Sequence, residues 1–464
     1  MKTLAIGLLL ALLGCASQGP ASTNGLKAGA SKVKITPEKM GWMTGYGNRN
    51  HKADGVKTDL WVRSLVLEDA SGKRLVMVTA DILGFPPLLS RSIRADAVAK
   101  FGIDAADLML VASHTHGGPA VPSRPSMEIF HGLDETTGQE VYEYADWLRE
   151  RVLESLRLAI AAETPAAATL THAEAHFGMN RRYRNPNGSY SIKDNPEGLV
   201  DPDVTIVRVD STDGKRLATV YTYACHGTTL GGETYQYHGD WIGYASDEIE
   251  KATGGAPALF ATGCGADLNP TPRGPKFELA EQHGRTMATA VAGAPAGKPL
   301  TGPFSSKLTT VDLPLAAAPK RELLEKIAAD DKDKNVFRRR FVREMLKLMD
   351  AGKLPSAVPL PIQRWRLGDE TVVAFGGETC VEYALRTKKE LGADKTWTIG
   401  YANEVPCYIP SEKVLSESGY EPGWEPATKD TIATGSMMFY GWPVPFAPGI
   451  EERIMGAVHA LTRN

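Results

Sequence analysis

Four short segments of this 464-residue chain contain residue types that could hold and use a metal ion. Two contain histidines and a third contains a glutamate, and each of the four ends a stretch that the sequence predicts as a β-strand. Two imidazoles and a carboxylate suit Zn²⁺, and an open position on such an ion can hold an activated water molecule. The segments are residues 113–119 (SHTHGGP), 224–228 (ACHGT), 376–379 (GGET) and 403–410 (NEVPCYIP).

None of these segments is decisive by itself. A lone His-x-His pair, such as His114 and His116, is more often part of a loop or a contact behind the ligands than a metal site. Their placement carries more information, because ligands of α/β proteins bind beyond the carboxyl ends of the strands. We therefore expect five strand-end loops to converge on one pocket. They carry His114, His226, Asn269, Glu378 and Tyr408.

The elements that position these loops alternate between predicted strands and predicted helices. An apolar strand at residues 108–112 leads to His114, and a predicted helix at 87–101 precedes that strand. A second predicted helix, at 381–391, lies between the last two strands. Such alternation favours an α/β fold with mixed, largely parallel sheets flanked by helices, and with the metal site at the carboxyl ends of strands.

A highly charged stretch at about residues 318–353 interrupts this pattern. It is predicted to be helical and contains Arg338, Arg339, Arg340 and Arg343. Three interpretations are open: a solvated helix face, a support for a lid, or a contact with an anionic lipid surface, and the first two are favoured. We assign residues 27–464 to one catalytic domain with this stretch as an insertion.

Composition limits the classes of partner. The formal net charge is −3, with 42% hydrophobic and 23% charged residues. A chain of this size and balance can bury a large core. Its near-neutral charge gives no reason to expect nucleic-acid binding.

The N-terminus predicts export. A short basic start precedes an apolar run at residues 4–13, which is too short to span a membrane but has the length of a signal-peptide core. The run ends in Leu12-Leu13-Gly14-Cys15, which resembles a bacterial lipobox. We expect a signal peptide at residues 1–14, then a lipidated Cys15 and a flexible tether at 15–26, with the protein anchored to the bacterial cell envelope on its periplasmic or extracellular face. The alternative is an ordinary cleaved signal in which Cys15 is incidental.

Four further cysteines lie in or beside the chemical segments. Export permits disulfides, and thiols near the site could also compete for the metal. The simplest alternative is that they are small buried residues at strand ends, as free cysteines usually are. They are Cys225, Cys264, Cys380 and Cys407.

The order of several segments resembles that of the neutral/alkaline non-lysosomal ceramidases, zinc amidases that cleave the N-acyl bond of ceramide. The resemblance runs from about Lys32 to about Ala460 and covers the family's catalytic domain. We expect the family's C-terminal immunoglobulin-like domain to be missing. The matching segments are residues 43–46 (MTGY), 79–82 (TADI), 113–119 (SHTHGGP), 240–246 (DWIGYAS) and 377–379 (GET).

The resemblance implies a metal site with one Zn²⁺ per chain. His114 and His226 match its imidazole ligands, Glu378 its carboxylate ligand and Tyr408 a phenolate-type ligand. His116, two residues beyond the first ligand, matches the family's general acid/base and is not expected to bind the metal.

The resemblance also implies roles at the substrate. Arg181 matches an arginine that helps to bind the substrate carbonyl, and Tyr420 matches a tyrosine that stabilises the oxyanion. The family has Gly-Asp-x-Ser-Pro where this chain has Ala-Asp-Leu-Asn-Pro at residues 266–270. Asn269 can donate a hydrogen bond but is not expected to act as a nucleophile, so a route through activated water is favoured over an acyl-serine.

These implications predict an exported, zinc-dependent amidohydrolase acting on ceramide or a related N-acyl lipid. One alternative is a hydrolase of the same fold that acts on a non-lipid amide or ester. A second is a non-catalytic surface lipoprotein that binds a ligand. The second explains less, because binding alone needs no acid/base residue such as His116.

Overall fold

The computed structural model describes residues 25–121, 135–332, 335–426 and 432–463. The predicted signal peptide, Cys15 and nearly all of the predicted tether lie outside the described residues. Within the described ranges, every helix is too short or too polar to cross a lipid bilayer.

The strands and helices of the described ranges are named here in chain order. The strands are β1 (Lys27–Lys34), β2 (Gly55–Val56), β3 (Trp61–Glu68), β4 (Arg74–Ala80), β5 (Leu108–Ala112), β6 (Thr164–Glu174), β7 (Gly178–Asn180), β8 (Arg182–Arg184), β9 (Tyr190–Ile192), β10 (Asp203–Ser211), β11 (Arg216–Tyr223), β12 (Gln236–Tyr237), β13 (Ala258–Thr262), β14 (Leu268–Pro270), β15 (Lys298–Pro299), β16 (Phe304–Pro314), β17 (Ala357–Leu367), β18 (Glu370–Phe375), β19 (Glu378–Thr379), β20 (Thr396–Ile399) and β21 (Tyr408–Ile409). The helices are α1 (Pro87–Phe101), α2 (Glu135–Ala161), α3 (Asp240–Ala252), α4 (Phe277–Gly293), α5 (Arg321–Ala328), α6 (Val336–Asp350), α7 (Val381–Leu391), α8 (Glu412–Glu417), α9 (Gly435–Phe439) and α10 (Ile450–Thr462).

Two main sheets form the centre of the fold. A nine-stranded sheet has the order β13-β11-β10-β6-β1-β3-β4-β5, with β15 added beside β6, and a four-stranded sheet has the order β16-β17-β18-β20. The prediction of an α/β fold with mixed sheets is confirmed. The prediction that the sheets are largely parallel is wrong, because most neighbouring strands are antiparallel. Short connections join β3 to β4, β10 to β11 and β17 to β18, and a short connection permits only an antiparallel pair.

The two sheets pack against each other and carry helices on their outer faces. Their inner faces share a core that includes Leu67 and Val220 from the larger sheet and Trp365 and Trp397 from the smaller one. Helices α1 and α2 cover part of the larger sheet's outer face, and α3 and α4 cover another part. Helices α5, α6, α7 and α10 cover the smaller sheet. Burial on both faces explains why several strands are apolar without interruption.

The parallel pairs of the two main sheets lead to three of the predicted site residues. Strand β5 is parallel to β4, β11 to β13, and β18 to β20. His114, His226 and Glu378 follow β5, β11 and β18, respectively. A β-bridge between Thr115 and Gly227 joins two of these loops directly. Three crossover connections therefore bring the loops to one place.

The charged stretch forms two helices, α5 and α6. In α6, Phe341, Val342 and Met345 are buried against the smaller sheet's core, whereas Arg343 is exposed. This helix is amphipathic, with its apolar face on the protein and basic residues elsewhere.

Candidate active site

The side chains of His114, His226, Glu378 and Tyr408 meet around one point. The Oε2 atom of Glu378 lies 3.1 Å from His114 Nε2 and 3.2 Å from His226 Nε2. The hydroxyl of Tyr408 lies 3.2 Å from His226 Nε2. Tetrahedral zinc sites have bonds of about 2.0–2.2 Å to nitrogen and oxygen, which separates the ligand atoms by roughly 3.3 Å. The donor atoms and their spacing therefore fit such an ion.

Backbone carbonyls orient both imidazoles. His114 Nδ1 lies 2.6 Å from the carbonyl oxygen of Leu83, and His226 Nδ1 lies 2.8 Å from that of Gly265. A carbonyl only accepts hydrogen bonds, so each Nδ1 carries the proton and each Nε2 keeps its lone pair for the cluster. Metal-binding histidines almost always make such an outer contact.

His116 lies against the same cluster but is held differently. Its Nε2 is 3.1 Å from His114 Nε2, so distance alone also allows it as a ligand. Among the described residues, however, its Nδ1 has no hydrogen-bond partner. Burial, and then the nearby His114 and His226, hold the pKa of His116 well below its usual value. A neutral imidazole in this position can accept a proton.

The Oε2 atom of the Glu378 carboxylate faces the two imidazoles. The other carboxylate oxygen, Oε1, accepts a hydrogen bond from Tyr440 at 2.6 Å. Oε1 therefore has a hydrogen-bond partner, whereas the buried Oε2 has none among the described residues and is available to a cation.

The loop that contains Gly45 forms a wall beside His116. A Cβ atom on Gly45 would lie 2.5 Å from His116 Nδ1, and Gly45 has a φ of +96°. The ring of Tyr46 packs at 4.8 Å from that of His116. Glycine at position 45 thus allows the backbone to approach the imidazole closely.

Replacing Gly45 with alanine should displace the His116 ring and reduce turnover. Gly72→Ala is a matched control, because Gly72 has a similar φ of +85° but nothing within 4 Å of its Cβ position. Both variants carry the backbone strain of a positive φ, about 1–2 kcal/mol, and only Gly45→Ala meets His116. Thermal unfolding and steady-state kinetics would compare them. Equal turnover in the two variants would contradict a close fit at His116.

Arg181 links several of the predicted site residues. Its Nη2 donates to the hydroxyl of Tyr408 at 3.0 Å, and its Nη1 donates to Asn269 Oδ1 at 3.2 Å. Asn269 Oδ1 also accepts from Thr228 at 3.1 Å. Both lone pairs of Asn269 Oδ1 thus accept hydrogen bonds, which leaves only the amide nitrogen of Asn269 for other contacts.

A buried carboxylate, Glu421, joins Arg181 to the loop of Tyr420. Its Oε1 accepts from Arg181 Nε at 2.9 Å, and its Oε2 accepts from Arg182 Nη1 at 2.6 Å. The ring of Tyr420 stands 5.4 Å from that of Tyr408 in an edge-to-face arrangement. The eight predicted site residues therefore lie in one contiguous cluster, with Glu421 holding one side of it.

Three residues near the cluster have left-handed backbone conformations that non-glycine residues rarely adopt. They are His114 (φ 57°), Tyr401 (φ 53°) and Asn403 (φ 65°). Strain of this kind costs on the order of 1–3 kcal/mol per residue and concentrates at functional sites. Asn403 is held by its side chain, whose Oδ1 accepts from the backbone N–H of Leu110 at 3.2 Å.

The four cysteines of the chemical segments are free and buried. Of the three possibilities that the sequence left open, the structure supports small buried residues over disulfides. Burial also raises the pKa of all four thiols, which disfavours the thiolate form that binds metals.

Sequence reasoning missed three residues of this site. Glu421 follows the predicted residue Tyr420 in the chain. The only sequence signal for it is its negative charge, which complements the positive charges of Arg181 and Arg182. Tyr440 and Tyr401 belong to segments with no motif. Tyr401 packs its ring 4.4 Å from that of His114.

Comparison with known proteins assigns the chain to a family. The family model described as neutral/alkaline non-lysosomal ceramidase, N-terminal, matches residues 26–297, more than half of the chain. The neutral ceramidase of Pseudomonas aeruginosa is 26% identical over 281 residues, which cover 57% of this chain and 40% of that protein. Neutral ceramidase A of Dictyostelium discoideum is 25% identical, over 50% of this chain and 34% of that protein. These matches thus span about two fifths or less of the curated relatives.

The fold agrees with this assignment. The crystal structure of the Pseudomonas aeruginosa neutral ceramidase matches with a TM-score of 0.67 and 21% identity, over 90% of this chain and 73% of that chain. The chain therefore belongs to the neutral/alkaline non-lysosomal ceramidase family.

Proposed function

We propose that this protein is a zinc-dependent amidohydrolase that cleaves the N-acyl amide bond of ceramide or a closely related lipid. The observation that carries the proposal is the cluster of His114, His226, Glu378 and Tyr408, with His116 beside it, in a chain of the ceramidase family. The cluster combines a metal-binding donor set with a neutral imidazole and a buried arginine. That combination suits attack of water on a carboxamide.

Zinc held by these four residues would supply Lewis acidity, which activates water and polarises a carbonyl at neutral pH. His116 takes the proton of the attacking water on its imidazole and returns it to the leaving amine. Arg181 and Tyr420 offer N–H and O–H donors to the oxygen on which negative charge develops. Glu421 holds the guanidinium of Arg181 in place for this role.

Asn269 does not form a covalent intermediate under this proposal. Its amide is a poor nucleophile, and its Oδ1 accepts hydrogen bonds from Arg181 and Thr228. In ¹⁸O-labelled water, a single turnover should place the label in the released acid, and mass spectrometry should find no acyl-protein. An acyl adduct on any side chain of the site would overturn the direct-water route.

The proposal is tested by metal analysis of the purified full chain together with a hydrolysis screen. We expect about one zinc ion per chain, and zinc-dependent release of fatty acid from an N-acylsphingosine in detergent. Glu378→Ala should lose both the zinc and the activity. N-acylglucosamine and N-acyl amino acids are the comparison substrates. They contain the same kind of amide bond as ceramide but lack its sphingoid base. Preferential cleavage of these compounds would show that ceramide is the wrong substrate, and a zinc-loaded but inactive wild type would contradict the enzymatic proposal.

We also propose that Cys15 is lipidated and anchors the enzyme to a bacterial envelope membrane, where lipid amides are accessible. Each buried CH₂ of an acyl chain contributes about 0.8 kcal/mol, so several chains hold a protein firmly. Cys15→Ser should abolish lipidation, shown by intact mass, and move the protein to the soluble fraction. Its activity on detergent-dispersed substrate should be unchanged. A wild-type protein that is already soluble after export would contradict the anchor.

A further inference from the structure

The two carboxylate oxygens of Glu378 have different surroundings. Oε2 faces the imidazoles, 3.1 Å from His114 Nε2 and 3.2 Å from His226 Nε2. Oε1 accepts a hydrogen bond of 2.6 Å from the hydroxyl of Tyr440. A carboxylate can bind a metal through one oxygen or through both, and it can also rotate about its last torsion. The contact with Tyr440 opposes both alternatives.

Tyr440 is itself held in place by its own segment. It follows helix α9, and its backbone N–H donates to the carbonyl of Ser436 at 2.9 Å. Two residues later, the indole of Trp442 donates to the carbonyl of Pro406 at 2.8 Å. Pro406 is two residues before Tyr408 in the chain. The segment that carries Tyr440 is thus tied to the loop that supplies another proposed ligand.

The ring of Tyr440 also packs into the cluster. Its centroid lies 6.3 Å from that of Tyr408, in an edge-to-face arrangement. The adjacent Phe439 packs against Tyr420, with centroids 6.3 Å apart. These contacts fix the direction from which the Tyr440 hydroxyl reaches Glu378, and they would persist in a phenylalanine variant.

We propose that Tyr440 is a positioning residue for the metal-binding carboxylate. By donating to Oε1, it keeps that oxygen away from the ion and presents Oε2 alone to the imidazole side. A short hydrogen bond to an ionised carboxylate is strong and directional, which suits this task. The inference rests on the proposed metal site, but it concerns a residue that has no role in the proposed reaction steps.

The test is the zinc affinity of the full-length Tyr440→Phe variant, measured by competition with a chromogenic chelator. Loss of an outer hydrogen bond to a metal ligand typically weakens metal binding by about 10- to 100-fold, and we expect a loss in that range. Cobalt(II) substitution gives a second readout. A carboxylate that becomes free to bind through both oxygens should change the intensity of the visible cobalt absorption.

Tyr401→Phe is the matched control, since it removes a hydroxyl from a neighbouring tyrosine of the same cluster, and this hydroxyl has no hydrogen-bond partner among the described residues. It should leave the zinc affinity and the cobalt spectrum unchanged. The unfolding temperature of metal-free Tyr440→Phe should match that of metal-free wild type. Wild-type zinc affinity and an unchanged cobalt spectrum in Tyr440→Phe would overturn the inference alone. A wild-type protein that binds no zinc would overturn the proposed metal site instead.

Discussion

Replacing His116 with alanine should leave the metal bound and lower the turnover number by about a hundredfold or more, the usual scale for loss of general acid–base catalysis. The imidazole lies close enough to the proposed metal site to exchange a proton with a water molecule there, with His116 Nε2 at 3.1 Å from His114 Nε2. It lacks the outer carbonyl contact that orients the Nδ1 atoms of His114 and His226. This difference favours a proton carrier over a metal ligand.

The measurement combines zinc content with steady-state kinetics. His114→Ala is the control, because it should lose zinc as well as activity. If His116→Ala also loses its zinc, then His116 is a ligand and the ligand set must be revised.

The pH profile gives an independent check on the same residue. Burial and the neighbouring imidazoles depress the pKa of His116. The group therefore stays neutral, and able to accept a proton, as the pH falls below the usual histidine pKa. Turnover should decline only at lower pH, when His116 becomes protonated. This acidic limb should be absent from the residual activity of His116→Ala.

The elements of this fold followed closely from local sequence patterns. Helices at residues 87–101 and 381–391 were predicted with the bounds that the structure has, as was the strand Leu108–Ala112. Their ends are marked by residues that interrupt a helix. The first helix, for example, is preceded by Pro86 and followed by Gly102. The sequence also predicts a helix at residues 243–252, and helix α3 begins three residues earlier, at Asp240. Here Asp240 Oδ1 accepts from the backbone N–H of Trp241 at 2.8 Å, a local contact that periodicity does not reveal.

Strand direction and the contacts behind the site could not be predicted in the same way. Alternating strands and helices suggested parallel sheets, but the short connections between β10 and β11 and between β17 and β18 impose antiparallel pairing. The resemblance to a family indicated His114, His226 and Glu378, because each of these residues matches a metal ligand of the family. It did not indicate Tyr440, because a residue that acts through another needs only one well-placed hydroxyl. Such a contact is set by tertiary packing and leaves no spacing in the sequence.

Neutralising Glu421 should have the largest effect on stability of any single change near the site. The side chain is only 2% exposed and lies between two guanidinium groups, those of Arg181 and Arg182, which are each 5% exposed. Glu421→Gln keeps the shape but removes the negative charge, so Arg181 loses its carboxylate partner and Arg182 keeps only the pair with the more exposed Glu417. Removing one partner of a buried ion pair costs about 3–5 kcal/mol.

Activity should fall with stability, for a geometric reason. Glu421 accepts from Arg181 Nε at 2.9 Å and is the chain neighbour of Tyr420, so both groups proposed to stabilise the oxyanion depend on it. Glu417→Gln is the matched control, since Glu417 is 21% exposed and pairs with Arg182 at 3.3 Å, whereas the carboxylate that pairs with Arg181 is that of Glu421. A partly exposed pair of this kind contributes about 0–1 kcal/mol. The two variants are compared by urea unfolding and by their turnover numbers. A Glu421→Gln enzyme as stable and as active as Glu417→Gln would show that the Arg181–Glu421–Arg182 cluster does not hold the site together.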